Sequence, residues 1–113
     1  MADHSAAEVA ADAAPLEGVV IIDLSLGMAG PFAASRLADL GARVIKVEPL
    51  SGDPARGYGP AFVGPDAADS AVFAALNRGK TSLAIDLEHP AGSALIRRLI
   101  DQADVVIEDL GPG

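Results

Sequence analysis

Two short apolar runs, Val19–Leu24 and Arg43–Glu48, flank a segment of helix length, and this spacing narrows the choice of fold more than any other feature of the chain. The first run enters a turn of small residues, Ser25-Leu-Gly-Met-Ala-Gly30, and Gly30-Pro31 reads as the opening of a helix. Ala29, Ala33, Leu37 and Leu40 then recur at helical spacing, and Gly41 closes the helix before the second run begins. A strand, a crossover helix and a second strand make a β-α-β unit. Its glycine-containing turn offers backbone N–H groups at a helix start, where anionic ligands are bound in such units.

The remaining sequence continues this alternation. Leu50 to Asp69 is a Gly/Pro/Asp-rich loop without periodicity of its own. Ser70 to Leu76 reads as a short helix capped by Ser70, Thr81–Asp86 as a third strand, and Pro90 as the start of a helix. In that helix Leu95, Ile96, Leu99 and Ile100 form the stripe expected to be buried. Asp104–Glu108 is a fourth strand. Residues 1–14 are Ala-rich and acidic, with no core-forming pattern, and are expected to be a flexible tail.

These elements predict an α/β, Rossmann-like, mostly parallel sheet with helices on both faces and right-handed crossovers. The expected strand order is 3-2-1-4. It places the topological switch point between strands one and four, where Ser25–Gly30 and Asp109–Gly113 meet and where open α/β sheets bind ligands. A four-stranded sheet with incompletely covered faces also leads us to expect association of the isolated chain.

Composition removes several function classes. Sixteen acidic residues against eight basic ones give a net charge of -8, which is unfavourable for binding nucleic acid. The chain has no cysteine, so disulfides, thiolate metal sites and thiol nucleophiles are absent. The two histidines, His4 and His89, have no partner spacing for a metal, and His89 beside Pro90 reads as an exposed residue at a helix start. No apolar run has the length of a membrane span, and the N-terminus lacks the pattern of a signal peptide, so a cytoplasmic location is expected.

Several motifs invite a functional reading. Gly27-Met-Ala-Gly30 lacks the spacing G-x-G-x-x-G, although Glu48 stands where a ribose-binding acid would. Ala74-Ala-Leu-Asn-Arg-Gly-Lys-Thr81 approaches a phosphate loop but follows a helix and precedes a strand, the reverse of the required context. Arg78 and Lys80 remain candidates for a phosphate, or else a solvated basic turn. Asp23 could be a polar anchor in the crevice and Arg56 a ligand contact, each against an ordinary structural role. Asp66 and Asp69 read as solubilising charges.

Taken in order, Pro15-Leu-Glu-Gly-Val-Val-Ile-Ile-Asp-Leu-Ser25, Ala29-Gly-Pro-Phe32, Leu37-Ala-Asp-Leu-Gly-Ala-Arg-Val-Ile-Lys-Val-Glu-Pro49, Gly52-Asp-Pro-Ala-Arg-Gly57, Leu76-Asn-Arg-Gly-Lys-Thr-Ser82 and Asp104-Val-Val-Ile-Glu108 resemble the N-terminal region of the family III CoA-transferases. That group includes formyl-CoA transferase and carnitine CoA-transferase. The match covers nearly everything after Ala14.

The resemblance implies transfer of CoA from an acyl-CoA donor to a small carboxylic acid through intermediates on a nucleophilic aspartate. It implies an interlocked homodimer, of which this segment is an incomplete N-terminal part. Carried onto this sequence, it puts CoA beside Leu26, Gly27, Met28 and Ala29 in the first turn, near Ile85 and Glu88 after strand three, and at Asp109 and Leu110 after strand four. No metal is implied. Asp109 stands where the family commonly has Asn, so it supplies only acceptors, which disfavours a phosphate but admits an amide or a ribose hydroxyl. The catalytic aspartate is expected beyond Gly113, so residues 15–113 are expected to bind CoA without catalysing transfer. Two alternatives are an α-methylacyl-CoA racemase-like member, disfavoured by Gly52–Gly57, and a non-catalytic CoA- or nucleotide-binding module.

Overall fold

Val20–Asp23, Arg43–Glu48 and Val105–Ile107 carry the β-branched runs of the main sheet, whereas its edge strand Lys80–Ala84 is more polar. The computed structural model describes residues 12–112; the rest of the expected N-terminal tail, residues 1–11, lies outside the described residues. The elements run β1 (Val20–Asp23), α1 (Ala29–Asp39), β2 (Arg43–Glu48), β3 (Phe62–Val63), β4 (Asp69–Ser70), α2 (Ala71–Leu76), β5 (Lys80–Ala84), α3 (Pro90–Asp101) and β6 (Val105–Ile107). The main sheet has the order β5-β2-β1-β6 with every pair parallel, which is the expected 3-2-1-4 order. No helix among the described residues is long and apolar enough to cross a membrane.

Alternation along the strands divides the core in two. Ile21 and Val44 pack with Ala34 and Ala42 on the α1 side, joined by Leu37 and Ala38. Ile22, Val47 and Ile85 pack with Ile96 on the α3 side, joined by Leu99 and Ile100. Helices therefore lie on both faces, as the continuous apolar character of β1 predicts.

Local chemistry explains the helix ends. Gly41, at φ 100°, is the left-handed residue of a Schellman turn: its N–H donates to the Ala38 carbonyl at 3.0 Å, and that of Ala42 to the Leu37 carbonyl at 3.1 Å. Ser70 caps α2 by accepting the Phe73 N–H at 3.3 Å. His89, exposed as expected, caps α3 through Nδ1, which accepts the Ala91 N–H at 3.1 Å.

Three local expectations need correction. Helix α1 begins at Ala29 rather than Pro31, so the proline lies within its first turn, with its ring buried. Its inner face is Pro31, Ala34, Ser35, Leu37 and Ala38, whereas Ala29, Ala33 and Leu40 are exposed. Alanine occurs on both sides of this helix, so apolar periodicity could not choose between them; small side chains at positions 34, 35 and 38 let the helix lie close to the sheet. In α3, Leu95 is exposed and only Ile96, Leu99 and Ile100 pack inward. The long loop also contains a 3-10 turn, Pro54–Gly57, and the antiparallel pair β3–β4, whose two-residue strands are too short to show a period.

The α3 correction has a measurable consequence. Ile96→Ala should cost about 2–4 kcal/mol in urea denaturation, because it opens a cavity on the α3 side. Leu95→Ala should cost less than about 1 kcal/mol, because its side chain is already at the surface.

Candidate active site

Alternation places polar side chains of three strands on the α1 side of the sheet: Asp23 at the C-terminal end of β1, Lys46 and Glu48 toward that of β2, and Lys80 and Ser82 at the start and middle of β5. Asp23, Lys46 and Glu48 are almost wholly buried. Burying a charge is costly unless it is paired and its remaining polar capacity is met.

Each of these groups has its partners. Lys80 Nζ donates to Asp23 Oδ2 at 2.8 Å, the Pro31 carbonyl at 2.9 Å and Asn77 Oδ1 at 2.9 Å, which uses all three ammonium hydrogens. Burial lowers the Lys80 pKa, with the Asp23 carboxylate working against that shift. Lys46 Nζ donates to the Ser25 carbonyl at 3.0 Å and forms an ion pair with Asp53 Oδ2 at 2.7 Å. Asp23 also accepts the hydroxyl and backbone N–H of Ser25.

Glu48 is saturated. Its Oε2 accepts from the Asp53 N–H at 2.9 Å and Arg56 Nε at 2.8 Å, and its Oε1 accepts from Arg56 Nη2 at 2.8 Å and the Ser82 hydroxyl at 2.9 Å. The Arg56 hydrogen bonds, helped by Asp53 N–H and Ser82 and opposed by burial, lower its pKa to about 2. Arg56 also lies over the Phe73 ring, 4.0 Å from its centroid.

Asp53 reaches from the long loop to the first turn. Its Oδ1 accepts the Gly27 N–H at 3.0 Å and the Ala55 N–H at 2.8 Å. Burial pushes its pKa up, but Lys46 and the two amides outweigh that and hold it below the usual aspartate value. From the other side, Asp109 Oδ1 accepts the Leu26 N–H at 3.1 Å.

These contacts change the reading of the turn. Two of the backbone donors that the sequence offers to an anionic ligand are engaged by the protein's own carboxylates. Glu48 has no free oxygen lone pair for a ribose in this arrangement, and Lys80 and Arg56 are held by Asp23 and Glu48. Arg78 Nε, at 3.2 Å from Asp39 Oδ1, is likewise in an ion pair, here at the surface. Asp23 and Arg56 are thus engaged within the protein, and Lys80 is a buried ion-pair partner rather than part of the solvated basic turn that the sequence offered as its alternative role.

The open concavity lies at the same edge of the sheet. A cavity of about 430 Å³ is lined by Leu24, Leu26, Val47, Glu48, Pro49, Leu50, Ser51, Asp86, Leu87, Glu88 and Leu110. It is mostly apolar, and its polar side chains are the carboxylates of Glu48, Asp86 and Glu88 and the hydroxyl of Ser51, with no Lys or Arg. Its volume falls within the range of small-molecule sites.

The structure brings together four of the residues singled out from sequence, Leu26, Glu48, Glu88 and Leu110. Ile85 lies below, almost fully buried, and lines a neighbouring groove with Leu50 and His89. Gly27 and Asp109 shape the turn from behind. Met28 and Ala29 are exposed at the start of α1, outside the cavity, and their amides have no acceptor among the described residues. Sequence reasoning missed Leu24, Val47, Pro49, Leu50, Ser51, Asp86 and Leu87. Leu50 and Leu87 carried a signal: each is a large apolar residue set among polar neighbours at the end of a strand.

The sequence matches the profile of CoA-transferase family III across residues 16–113. It is 50% identical over 101 residues to a succinate–glutarate CoA-transferase of Agrobacterium fabrum (strain C58 / ATCC 33970), a match covering 84% of this chain and 25% of that protein. It is 47% identical over 100 residues to the Homo sapiens succinyl-CoA:glutarate CoA-transferase, covering 88% of this chain and 22% of that protein. The crystal structure of a CaiB/BaiF family protein from Brucella suis superposes with a TM-score of 0.80 at 44% identity, covering 86% of this chain and 26% of that one. The chain thus spans about a quarter of the length of these relatives.

Two consequences of the charge network are testable. Lys80→Met leaves Asp23 buried without its counter-charge and should cost about 3–5 kcal/mol in chemical denaturation. Arg78→Ala removes a surface ion pair and an exposed hydrogen bond to the Ala75 carbonyl, and should leave the denaturation midpoint nearly unchanged.

The second concerns acid. The Glu48 pKa is below its ordinary value of 4.5 in the folded chain, so its contribution to stability is complete above that pH and is lost as pH falls toward about 2. Glu48→Gln should flatten the decline of stability over that window, as read by denaturant titrations at successive pH values.

Proposed function

The chain belongs to CoA-transferase family III, and from that premise we propose that residues 15–113 are the CoA-binding segment of an enzyme moving CoA from an acyl-CoA donor to a small carboxylic acid. The observation that carries this reading is the apolar cavity at the sheet's C-terminal edge, rimmed by acceptors and devoid of cations. Its volume suits a nucleoside-sized group rather than the whole of CoA. A purine ring fits between Leu24, Leu50, Leu87 and Leu110, with its amino group and the ribose hydroxyls donating to Asp86 and Glu88.

The more extended part of CoA then passes the first turn. The amides of Met28 and Ala29, without an acceptor among the described residues, suit a pantetheine carbonyl, and the Asp109 carboxylate close by disfavours a phosphate there. In this reading Leu26, Gly27, Met28, Ala29, Ile85, Glu88, Asp109 and Leu110 form or support the CoA site. The named substrates of the two curated relatives point to a dicarboxylic acid as acceptor. Their names also support a transferase over a racemase.

The nucleophilic aspartate belongs to a segment outside residues 15–113, and the working assembly is a homodimer. Among the carboxylates lining the cavity, Glu48 is bonded at both oxygens and Asp86 Oδ1 accepts the Glu88 N–H at 3.0 Å.

Isothermal titration should show CoA binding to the chain in preference to NAD. Leu87→Trp, which fills the cavity from its exposed rim, should weaken CoA at least about tenfold without lowering the melting temperature. Incubation with acyl-CoA and hydroxylamine should trap no hydroxamate on this chain. Preference for NAD would contradict the CoA assignment, and a trapped adduct would contradict the placement of the nucleophile.

A further inference from the structure

Asp53 is buried in the Gly52–Gly57 loop, yet its carboxylate reaches an amide in a turn 26 residues earlier in the chain. The contact joins two segments that the sequence separates by a helix and a strand. Gly27, which it holds, has φ 78°, a left-handed conformation that reverses the backbone between Leu26 and Met28. On one side of the reversal Leu26 points into the cavity; on the other, at the start of α1, stand the amides of Met28 and Ala29, which have no acceptor among the described residues.

We propose that Asp53 is a positioning residue for the CoA site, fixing the first β-α turn through the Gly27 amide so that Leu26 and the Met28–Ala29 amides face the ligand together. The inference rests on the CoA-binding reading for its ligand, but the Asp53–Gly27 contact is independent of it.

The surroundings hold this carboxylate in one orientation. Oδ1 is fixed by the amides of Gly27 and Ala55, and Oδ2 faces Lys46 Nζ at 2.7 Å. The backbone of Asp53 is held as well, because its N–H donates to Glu48 Oε2 at 2.9 Å. Lys46 also bonds the Ser25 carbonyl at 3.0 Å, at the beginning of the same turn. The long loop and the first turn are thus joined at two points by one acid and one lysine, and both points lie behind the cavity wall.

A purely structural acid and a positioning acid respond differently to substitution. Asp53→Asn keeps an oxygen acceptor for Gly27, and combining it with Lys46→Met removes the buried charges as a pair. In this double variant the Gly27 amide signal in a ¹H–¹⁵N spectrum should stay in place, and CoA affinity should remain within about threefold of the parent. Asp53→Ala removes the acceptor, so the Gly27 amide should exchange with solvent at least about tenfold faster, and CoA affinity should fall by about tenfold or more in chain that remains folded.

An unchanged Gly27 amide in Asp53→Ala would overturn the proposal, as would undiminished CoA affinity in that variant. If Asp53→Ala does not fold, the double variant decides: a folded double variant that keeps the Gly27 signal but loses CoA tenfold would also overturn it. Failure of the parent chain to bind CoA would instead remove the CoA reading, and the Gly27 exchange rate would still test the contact.

Discussion

Two lysines on the inner face of a small sheet, Lys46 and Lys80, set the terms for the rest of this structure. Both side chains are about 1% exposed, and each faces an equally buried aspartate. Unpaired, either ammonium would be intolerable in such surroundings; paired, each requires specific backbone and side-chain acceptors around it. Lys80 finds them on β1, on the first turn of α1 and on Asn77 before β5. Lys46 finds them in the turn after β1 and in the long loop. The loops at the sheet's C-terminal edge therefore owe their arrangement to charge satisfaction as much as to hydrophobic contact.

This arrangement governs what the turn after β1 can do for a ligand. A glycine turn opening a helix offers amides to an anion, but here the amides of Leu26 and Gly27 already serve Asp109 and Asp53. The protein's own carboxylates hold the turn rigid, and the open surface beside it is apolar with acceptors at its rim. An uncharged, flat, donor-bearing group suits that surface better than a phosphate. The adenosine end of CoA is such a group, and family membership makes CoA the ligand to consider first.

The sheet was legible in the sequence, because short strand-length runs alternating with helices admit few topologies, and the order β5-β2-β1-β6 is one that right-handed crossovers allow. The inner face of α1 was not legible, since alanines surround that helix and the contacts that choose a face are long-range. Charged residues were the harder case. Glu48, Arg56 and Lys80 each resemble a ligand contact in one dimension, and only the fold shows that Arg56 answers Glu48 across 8 residues and Lys80 answers Asp23 across 57. Asp53 sat inside a recognised Gly-Asp-Pro segment, but nothing local announces that its partner is the amide of Gly27. Leu50 and Leu87 were visible as leucines set among polar neighbours at strand ends, and that cue deserved more weight than the glycines did.

The central claim is a division of labour at the sheet's edge: the buried charges hold the loops, and the neighbouring apolar cavity receives the ligand. A crystal structure of the chain with CoA tests it most directly. The account predicts the adenosine group among Leu24, Leu50, Leu87 and Leu110, with the Lys46–Asp53 pair and the Gly27–Asp53 hydrogen bond intact. CoA phosphates bound to the Gly27 amide or to Lys46, with the Asp53 carboxylate displaced, would contradict it.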